Sequence, residues 1–256
     1  MILSKRHLAI FAILALLVCI SLAGVMTRGE AVAASRTARE LPIYCVESEE
    51  KQIALTFDAA WGAEDTPVLI RILAEHNVPA TFFLVGQWVD QYPECVKALH
   101  DAGHSVMNHS NTHPHLPELS PQNALLEVDT ASDKIEAITG VRPELIRPPY
   151  GDYNDSVVRT LKGAGYAVIQ WSVDSLDWKG ISASEIQKRV LSRAEPGAIV
   201  LFHNAAEHTP EALPGIIEAL TLEGYTFVTV NDLILRKNYY MDHTGKQMRE
   251  RTQEAS

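Results

Sequence analysis

The sequence predicts an α/β fold, in which a parallel sheet of about seven strands is covered by helices, and we favour a (β/α) barrel over a doubly wound sheet. Short apolar, β-rich runs alternate with segments of helical period between residues 50 and 235. No linker rich in Pro, Gly or Ser interrupts this stretch. The length of 256 residues also suits one such domain, since α/β barrels commonly use about 200 to 250 residues.

The strand predictions depend on short runs of branched and aromatic residues. In chain order the seven runs are Ile53–Phe57, Thr81–Val85, Ser105–Met107, Leu145–Ile146, Ala167–Trp171, Ala198–Phe202 and Thr226–Val230. Helix start signals such as Thr66-Pro67 and Ser120-Pro121 stand between them. Glycines follow the helical segments where a residue with positive φ is often needed, for example Gly103 and Gly140. The order of these signals predicts repeated strand–helix units.

Residues 1–34 predict an export segment. Lys5 and Arg6 precede an uncharged run from Leu8 to Met26, and the small-x-small pattern of residues 31–33 follows. The run exceeds the about 7 to 15 residues of a usual signal peptide core and reaches the about 17 to 25 that span a bilayer. A cleaved signal peptide and a transmembrane anchor both stay open, and both place the domain outside the cytoplasm. We expect a linker over residues 35–49 and a polar, mobile tail over residues 236–256.

The charge balance excludes nucleic acid as the default partner. The chain has 22 Lys and Arg against 32 Asp and Glu, a formal net charge of -10, so it lacks the basic footprint that a phosphate backbone requires. Outside the cytoplasm disulfides can persist, and Cys45 and Cys95 would be available to form one. The sequence does not bring them together, and two free thiols are the simpler interpretation.

Reactive side chains follow five of the seven predicted strands. They are Asp58 after the first, His109 and His113 after the third, Arg147 after the fourth, Asp174 and Asp177 after the fifth, and His203 after the sixth. Each alone has a structural explanation, such as a helix cap, a turn or a satisfied core histidine. In a β/α barrel, however, active sites lie at the carboxyl ends of the strands, so their agreement predicts a site there.

The histidines of HSNTH form a candidate metal site. His109 and His113 are four residues apart, so on a helical turn both imidazoles would face one way and could bind one ion. A pair of surface histidines is the alternative. We interpret the neighbouring His104 and His115 as structural.

The motifs TFDAAW, HSNTH, RPPYG, DSLDW and LFHN, in this order over residues 56–204, resemble the five motifs of the polysaccharide deacetylase family, the NodB-homology domain of carbohydrate esterases. TFDAAWG and HNAAEHTPEALPGIIEAL are most similar to the sporulation-associated branch. The resemblance implies a distorted (β/α) barrel over residues 50–235 and a divalent metal such as zinc. It also implies hydrolysis of acetyl groups from N-acetylglucosamine or N-acetylmuramic acid units of a cell-wall polysaccharide, peptidoglycan-like or chitin-like.

The resemblance assigns catalytic roles as well. His109 and His113 would hold the metal, Asp58 would act as the general base, and His203 would protonate the leaving amine. Arg147 would orient Asp58, and Asp177 would support Arg147 or His203. The backbone N–H of Tyr150 would face the oxyanion. Trp178 and Leu201 would shape the acetyl pocket.

The first motif departs from the family. Members usually carry a second acid after the base as a metal ligand, and Ala59 stands there instead. Catalytic zinc typically has three protein ligands plus water, so two histidines should bind it more weakly unless Asp58, Glu64 or Asp65 supplies the third. Asn204 also stands where an acid is common. The alternative function is therefore a catalytically weak cell-wall glycan-binding protein, and an amidohydrolase acting on a small cyclic amide is more remote.

Overall fold

The structure, a computed structural model, describes residues 39–250. The predicted signal peptide or anchor over residues 1–34 lies outside the described residues. Within the described part, no helix is long and apolar enough to cross a membrane. Apart from Arg39, the described residues belong to one compact unit that begins at Glu40.

An eleven-stranded sheet forms the centre of this unit. Its strands are β1 Cys45–Val46, β2 Gln52–Ala59, β3 Thr81–Leu84, β4 Ser105–Asn108, β5 Leu145–Ile146, β6 Ala167–Val168, β7 Val173–Asp174, β8 Ala198–His203, β9 Thr226–Phe227, β10 Tyr239–Met241 and β11 Lys246–Arg249. The seven predicted strands correspond to β2 to β6, β8 and β9. All pairs among these seven are parallel, as predicted.

The sheet is curled and mixed, which differs from the all-parallel barrel that the alternation predicted. β6 pairs with β5, whereas β7, which follows it along the chain, pairs with β8. This switch of partners curls the sheet, and Ile43 bridges to Ile169 beside it. β1 pairs antiparallel with β8, and β10 pairs antiparallel with β11. The two ends of the described segment therefore add the antiparallel strands that strand–helix alternation could not predict.

Residues 43–46 and 239–249, which the sequence assigns to a linker and a polar tail, contain residues that pair with the sheet. β11 pairs parallel with β1, with Cys45 opposite Lys246 and Val46 opposite Gln247. Gln247 is fully buried, and its side-chain amide accepts from the backbone N–H of Leu235 and donates to that residue's carbonyl oxygen. A polar side chain that satisfies buried backbone groups fixes the segment, although its composition suggests a solvated tail.

Eight α-helices of the described residues pack around the sheet. They are α1 Thr66–Glu75, α2 Gly86–Gln91, α3 Pro93–Asp101, α4 Pro121–Thr139, α5 Asp155–Gly163, α6 Ala183–Leu191, α7 Thr209–Leu222 and α8 Val230–Leu233. Ser120 caps α4 with its side chain, and Gly140 ends it in the left-handed conformation, as the sequence signals predicted. Cys45 in β1 and Cys95 in α3 are free thiols.

The alternation of β2 decides where the site lies. Leu55, Phe57 and Ala59 belong to the large apolar cluster that includes the residues of α1 and α7, whereas Ala54 belongs to a second cluster on the other face. Successive strand residues point to opposite faces, so Asp58 shares its face with Ala54. The carboxylate is therefore at the carboxyl end of β2, on the face inside the curl.

Candidate active site

The carboxyl ends of the strands surround a cleft of about 530 Å³. Asp58 and His203 stand directly opposite each other in the register of the adjacent strands β2 and β8. Seven of the predicted site residues line the cleft: Asp58, His109, His113, Tyr150, Trp178, Leu201 and His203. Arg147 and Asp177 do not line it and instead lie behind it in contact with Asp58 and His203. The structure thus brings all nine predicted site residues together.

Arg147 holds the Asp58 carboxylate in place. The arginine is fully buried; its Nη1 donates to Asp58 Oδ1 at 2.7 Å, and its Nη2 donates to the carbonyl oxygen of Gln170 at 3.2 Å. Its guanidinium lies over the ring of Phe83 at 4.2 Å. Burial alone would raise the pKa of Asp58, but the charge of Arg147, with that of His203 and the hydrogen bond from Arg147, outweighs it and lowers that pKa. Asp58 is therefore ionised near neutral pH.

The two histidines of HSNTH converge on one point. His109 Nδ1 lies 2.7 Å from the carbonyl oxygen of Arg147, which can only accept, so the proton is on Nδ1 and the lone pair on Nε2. His113 Nε2 lies 3.2 Å from His109 Nε2, and Asp58 Oδ2 lies 3.6 Å from His109 Nε2. Burial lowers the pKa of His109 and is the largest cause that lowers the pKa of His113 to about 4. Both imidazoles are neutral at pH 7, the form that binds metals.

The helical turn predicted for HSNTH is wrong. The segment is a loop in which Ser110 and His113 have positive φ values of 67° and 62°. Asn108 Oδ1 accepts from the N–H of Ser110 at 2.7 Å, and Ser110 Oγ accepts from the N–H of His113 at 3.1 Å. These side-chain contacts stabilise the left-handed residues and turn His113 back towards His109.

The donor set fits a divalent ion in part. The facing Nε2 atoms of His109 and His113 suit one ion, and His113 Nδ1 is buried without a hydrogen-bond partner among the described residues. Residues 39–250 hold no group of three or more His, Cys, Asp or Glu side chains arranged for a metal. Glu64 Oε2 and Asp65 Oδ2 instead accept from the N–H groups of Ala63 and Ala205.

Ala59, at the position of the family's usual ligand acid, does not face the cleft. Its side chain is 1% exposed and belongs to the large apolar cluster. The cleft is lined instead by its neighbours Asp58 and Ala60. Among the acids considered for the third ligand, Asp58 alone lies beside the histidines.

Asp177 supports His203 rather than Arg147. His203 Nδ1 donates to Asp177 Oδ1 at 2.8 Å, and the backbone N–H of His203 donates to Oδ2 at 2.8 Å. Oδ2 also accepts from Thr209 Oγ1 at 2.8 Å. Burial would lower the pKa of His203, but the hydrogen bond and charge of Asp177, with the charge of Asp58, raise it above its ordinary value. The protonated imidazolium is therefore more stable here than in an ordinary histidine.

Aromatic side chains form the mouth of the cleft. Tyr150 and Trp178 are each 58% exposed, and Tyr150 has a positive φ of 61° in the turn after β5. Leu201 is buried on β8 and lines the floor. Sequence reasoning missed Trp61, which is 66% exposed and lies edge-on to His113 at 5.2 Å. A tryptophan between a buried strand and a helix start signal was the sequence feature that could have pointed to it.

Comparison with known proteins supports the resemblance to the polysaccharide deacetylase family. A model of the polysaccharide deacetylase family matches residues 46–169. The chain is 34% identical over 183 residues to a peptidoglycan-N-acetylglucosamine deacetylase of Bacillus cereus, covering 70% of this chain and 66% of that protein. It is 35% identical over 199 residues to the peptidoglycan-N-acetylmuramic acid deacetylase PdaA of Bacillus subtilis, covering 76% and 75% of the two chains.

The crystal structure of a CE4 family pseudoenzyme from Bacillus anthracis has a TM-score of 0.74 and 34% identity, covering 82% of this chain and 71% of that one. A mutant of this pseudoenzyme has restored enzymatic activity. The chain spans between 43% and 75% of the length of the curated relatives named PgdA, from Listeria monocytogenes, and PdaA. With the five motifs gathered at one cleft and a relative matched over three quarters of its length, the chain belongs to the polysaccharide deacetylase family of hydrolases.

Proposed function

We propose that this protein is a metal-dependent deacetylase that removes acetyl groups from N-acetylated sugars of peptidoglycan, outside the cytoplasm. One observation carries the proposal. Asp58 and His203 face each other across β2 and β8, and their surroundings shift their pKa values in opposite directions. Two titratable groups whose pKa values are shifted in opposite directions in this way are suited to act as base and acid in one reaction. The names of the relatives support peptidoglycan as the substrate.

His109 and His113 would hold the divalent ion, for which we propose zinc; the chemistry it supplies is to polarise the acetyl carbonyl and lower the pKa of a water molecule. Asp58 takes the proton from the attacking water, and Arg147 keeps that carboxylate oriented through Oδ1. Attack on the amide carbonyl gives a tetrahedral oxyanion, to which the backbone N–H of Tyr150 would donate.

His203 completes the reaction by protonating the amine as the carbon–nitrogen bond breaks. An amine leaves poorly without this proton, so the imidazolium must be available at the operating pH. Asp177 provides for this by accepting from His203 Nδ1, which leaves Nε2 to face the cleft as the donor. Trp178 and Leu201 would enclose the acetyl methyl.

The test is release of acetate from peptidoglycan fragments and chitooligosaccharides, with metal content measured before and after chelation. Activity that is lost on chelation and returns with zinc supports the proposal. Glycan binding without acetate release at any metal concentration would favour the second candidate, a catalytically weak glycan-binding protein. The incomplete metal set at Ala59 is the observation that keeps this candidate open.

Location is tested separately. The export segment predicted for residues 1–34 places the domain at the cell wall, secreted or membrane-anchored. A tagged protein should be digested by protease added to intact protoplasts. Protection from the protease would contradict this part of the proposal.

A further inference from the structure

The loop between β2 and α1 is fixed by a side chain from the loop that follows the adjacent strand β8. Asn204, which follows His203, donates through Nδ2 to the carbonyl oxygens of Trp61 at 2.8 Å and Gly62 at 2.6 Å. Its Oδ1 accepts from the N–H of Ala60 at 3.3 Å. Only an amide can accept from an N–H and donate to two carbonyl oxygens at once; an aspartate at this position could not donate. Asn204 therefore fixes the loop residues on both sides of the Trp61 side chain.

One further contact and one backbone feature constrain the same loop. Trp88 Nε1 donates to the carbonyl oxygen of Gly62 at 2.5 Å. Gly62 has a φ of 58°, and a Cβ added there would meet Glu64 Oε2 at 2.5 Å. The backbone that carries Trp61 is thus held in a conformation that a larger residue would strain.

The held loop leaves the Trp61 indole exposed beside the reactive groups. Trp61 is 66% exposed, lines the cleft and lies edge-on to His113 at 5.2 Å. On the far side of His113, Tyr150 lies edge-on at 4.5 Å and stacks on His115 at 4.2 Å. The four rings form a continuous row of contacts, and Trp61, His113 and Tyr150 of this row line the cleft. A large apolar side chain that is exposed to solvent at the mouth of a cleft, on a backbone that is held in place, is typical of a ligand-contacting surface.

We propose that Trp61 is a sugar-binding residue that stacks on a hexosamine unit next to the one being deacetylated, and that Asn204 is the positioning residue that holds it there. This inference rests on the proposed function. The chemistry of the surface indicates which ligand would bind. Trp61 presents an uncharged, apolar ring face, and it lines the same cleft in which the acetyl group would react. A neutral pyranose ring, with an apolar face and hydroxyls at its edge, matches that surface.

The experiment compares Trp61→Ala, Trp61→Phe and Asn204→Asp with wild type. Tyr240→Ala is the control, since Tyr240 is a 53% exposed aromatic residue on β10 that does not line the cleft. Affinity for chitotetraose is measured by calorimetry on chelated protein, and KM and kcat are measured on the zinc-loaded protein. Trp61→Ala should weaken affinity and raise KM about two- to tenfold, the range of one aromatic contact, with kcat little changed. Trp61→Phe should keep most of the affinity, and the Tyr240 variant should match wild type.

A double variant tests the positioning role of Asn204. If Asn204 acts through Trp61, Asn204→Asp should raise KM on its own yet add nothing to Trp61→Ala, whereas a general structural loss would add to it. Unchanged affinity and KM in Trp61→Ala, with wild type active on the glycan, would overturn the inference alone. Wild type that neither binds nor deacetylates chitotetraose or peptidoglycan fragments would instead overturn the proposed function. Additive effects in the double variant would remove the role of Asn204.

Discussion

Replacing Asp177 by Asn is the most direct test of His203 as the general acid. Asp177 is 2% exposed, and its two oxygens accept four hydrogen bonds: from His203 Nδ1 and the N–H of Trp178 at Oδ1, and from the N–H of His203 and Thr209 Oγ1 at Oδ2. An asparagine of the same shape must turn its NH₂ group towards one of these pairs. Each pair contains a backbone N–H that can only donate, so either orientation leaves a buried donor unpaired.

The consequences can be estimated from these contacts. An unpaired buried donor costs about 1–3 kcal/mol of folding stability. The larger effect is on the reaction, because the hydrogen bond and charge of Asp177 are the main influences that raise the pKa of His203 against its burial. Without them the imidazolium is disfavoured, and loss of a positioned acid lowers kcat/KM by about 10²–10⁴-fold.

The assay is the pH dependence of kcat/KM on an acetylated sugar amide and on an activated acetate ester. In Asp177→Asn the alkaline limb, which reports loss of the proton from the acid, should move to lower pH. The ester should be less affected, since its leaving group hardly needs a proton. Thr209→Val is the matched control, because it removes one hydrogen bond from Asp177 and leaves His203 bound. An alkaline limb unchanged in Asp177→Asn, with amide and ester impaired equally, would refute His203 as the acid.

Three further predictions address the metal, the base and a buried histidine. His109→Ala and His113→Ala should each release the bound divalent ion, as measured by metal content after dialysis; full occupancy in either variant would contradict the site. Asp58→Asn should lower kcat/KM by about 10²-fold or more and remove the acid limb of the profile, and an unchanged limb would exclude Asp58 as the base. His104 is 5% exposed, and burial lowers its pKa from 6.5 to about 4, so below pH 6.5 the unfolded chain binds a proton that the folded chain does not. The contribution of His104 to the unfolding free energy should therefore fall by about 2 kcal/mol from pH 7 to pH 5, measured in urea as the difference between wild type and His104→Gln, and equal slopes for the two proteins would contradict this.

The part of the fold that the sequence predicts is the part with local signals. β2, β3 and β8 are apolar runs bounded by turn or helix signals, so their place in a parallel sheet follows from pattern alone. The pairing of β1 with β11 joins residues about 200 positions apart in sequence, and β11 contains polar residues whose partners are backbone groups elsewhere. No local period marks such a strand.

The same distinction holds within the site. Asp58 and His203 could be predicted because each directly follows an apolar run at the carboxyl end of its strand. The left-handed residues of HSNTH could not, since a spacing of four residues is as typical of a helix as of this loop. The contact of Asn204 with the Trp61 carbonyl joins two loops that are distant in sequence, and only the register of β2 with β8 brings them together.

The contacts of the two Asp58 oxygens determine how the lack of an acid at residue 59 affects metal binding and general-base catalysis. Oδ1 is engaged by Arg147, and Oδ2 lies 3.6 Å from His109 Nε2, where it could contact an ion held by the histidines. A carboxylate that gives its lone pair to a metal loses basicity, so Asp58 cannot serve as third ligand and as base in the same step. Among residues 39–250, Asp58 and His203 form the proposed acid–base pair, whereas no group of three or more metal-binding side chains accompanies them. Activity should therefore be limited by metal affinity, with acetate release rising as zinc is raised and the pH limbs staying in place. In Asp58→Asn, loss of zinc along with activity would identify the carboxylate as a ligand, and retention of zinc would leave it as the base.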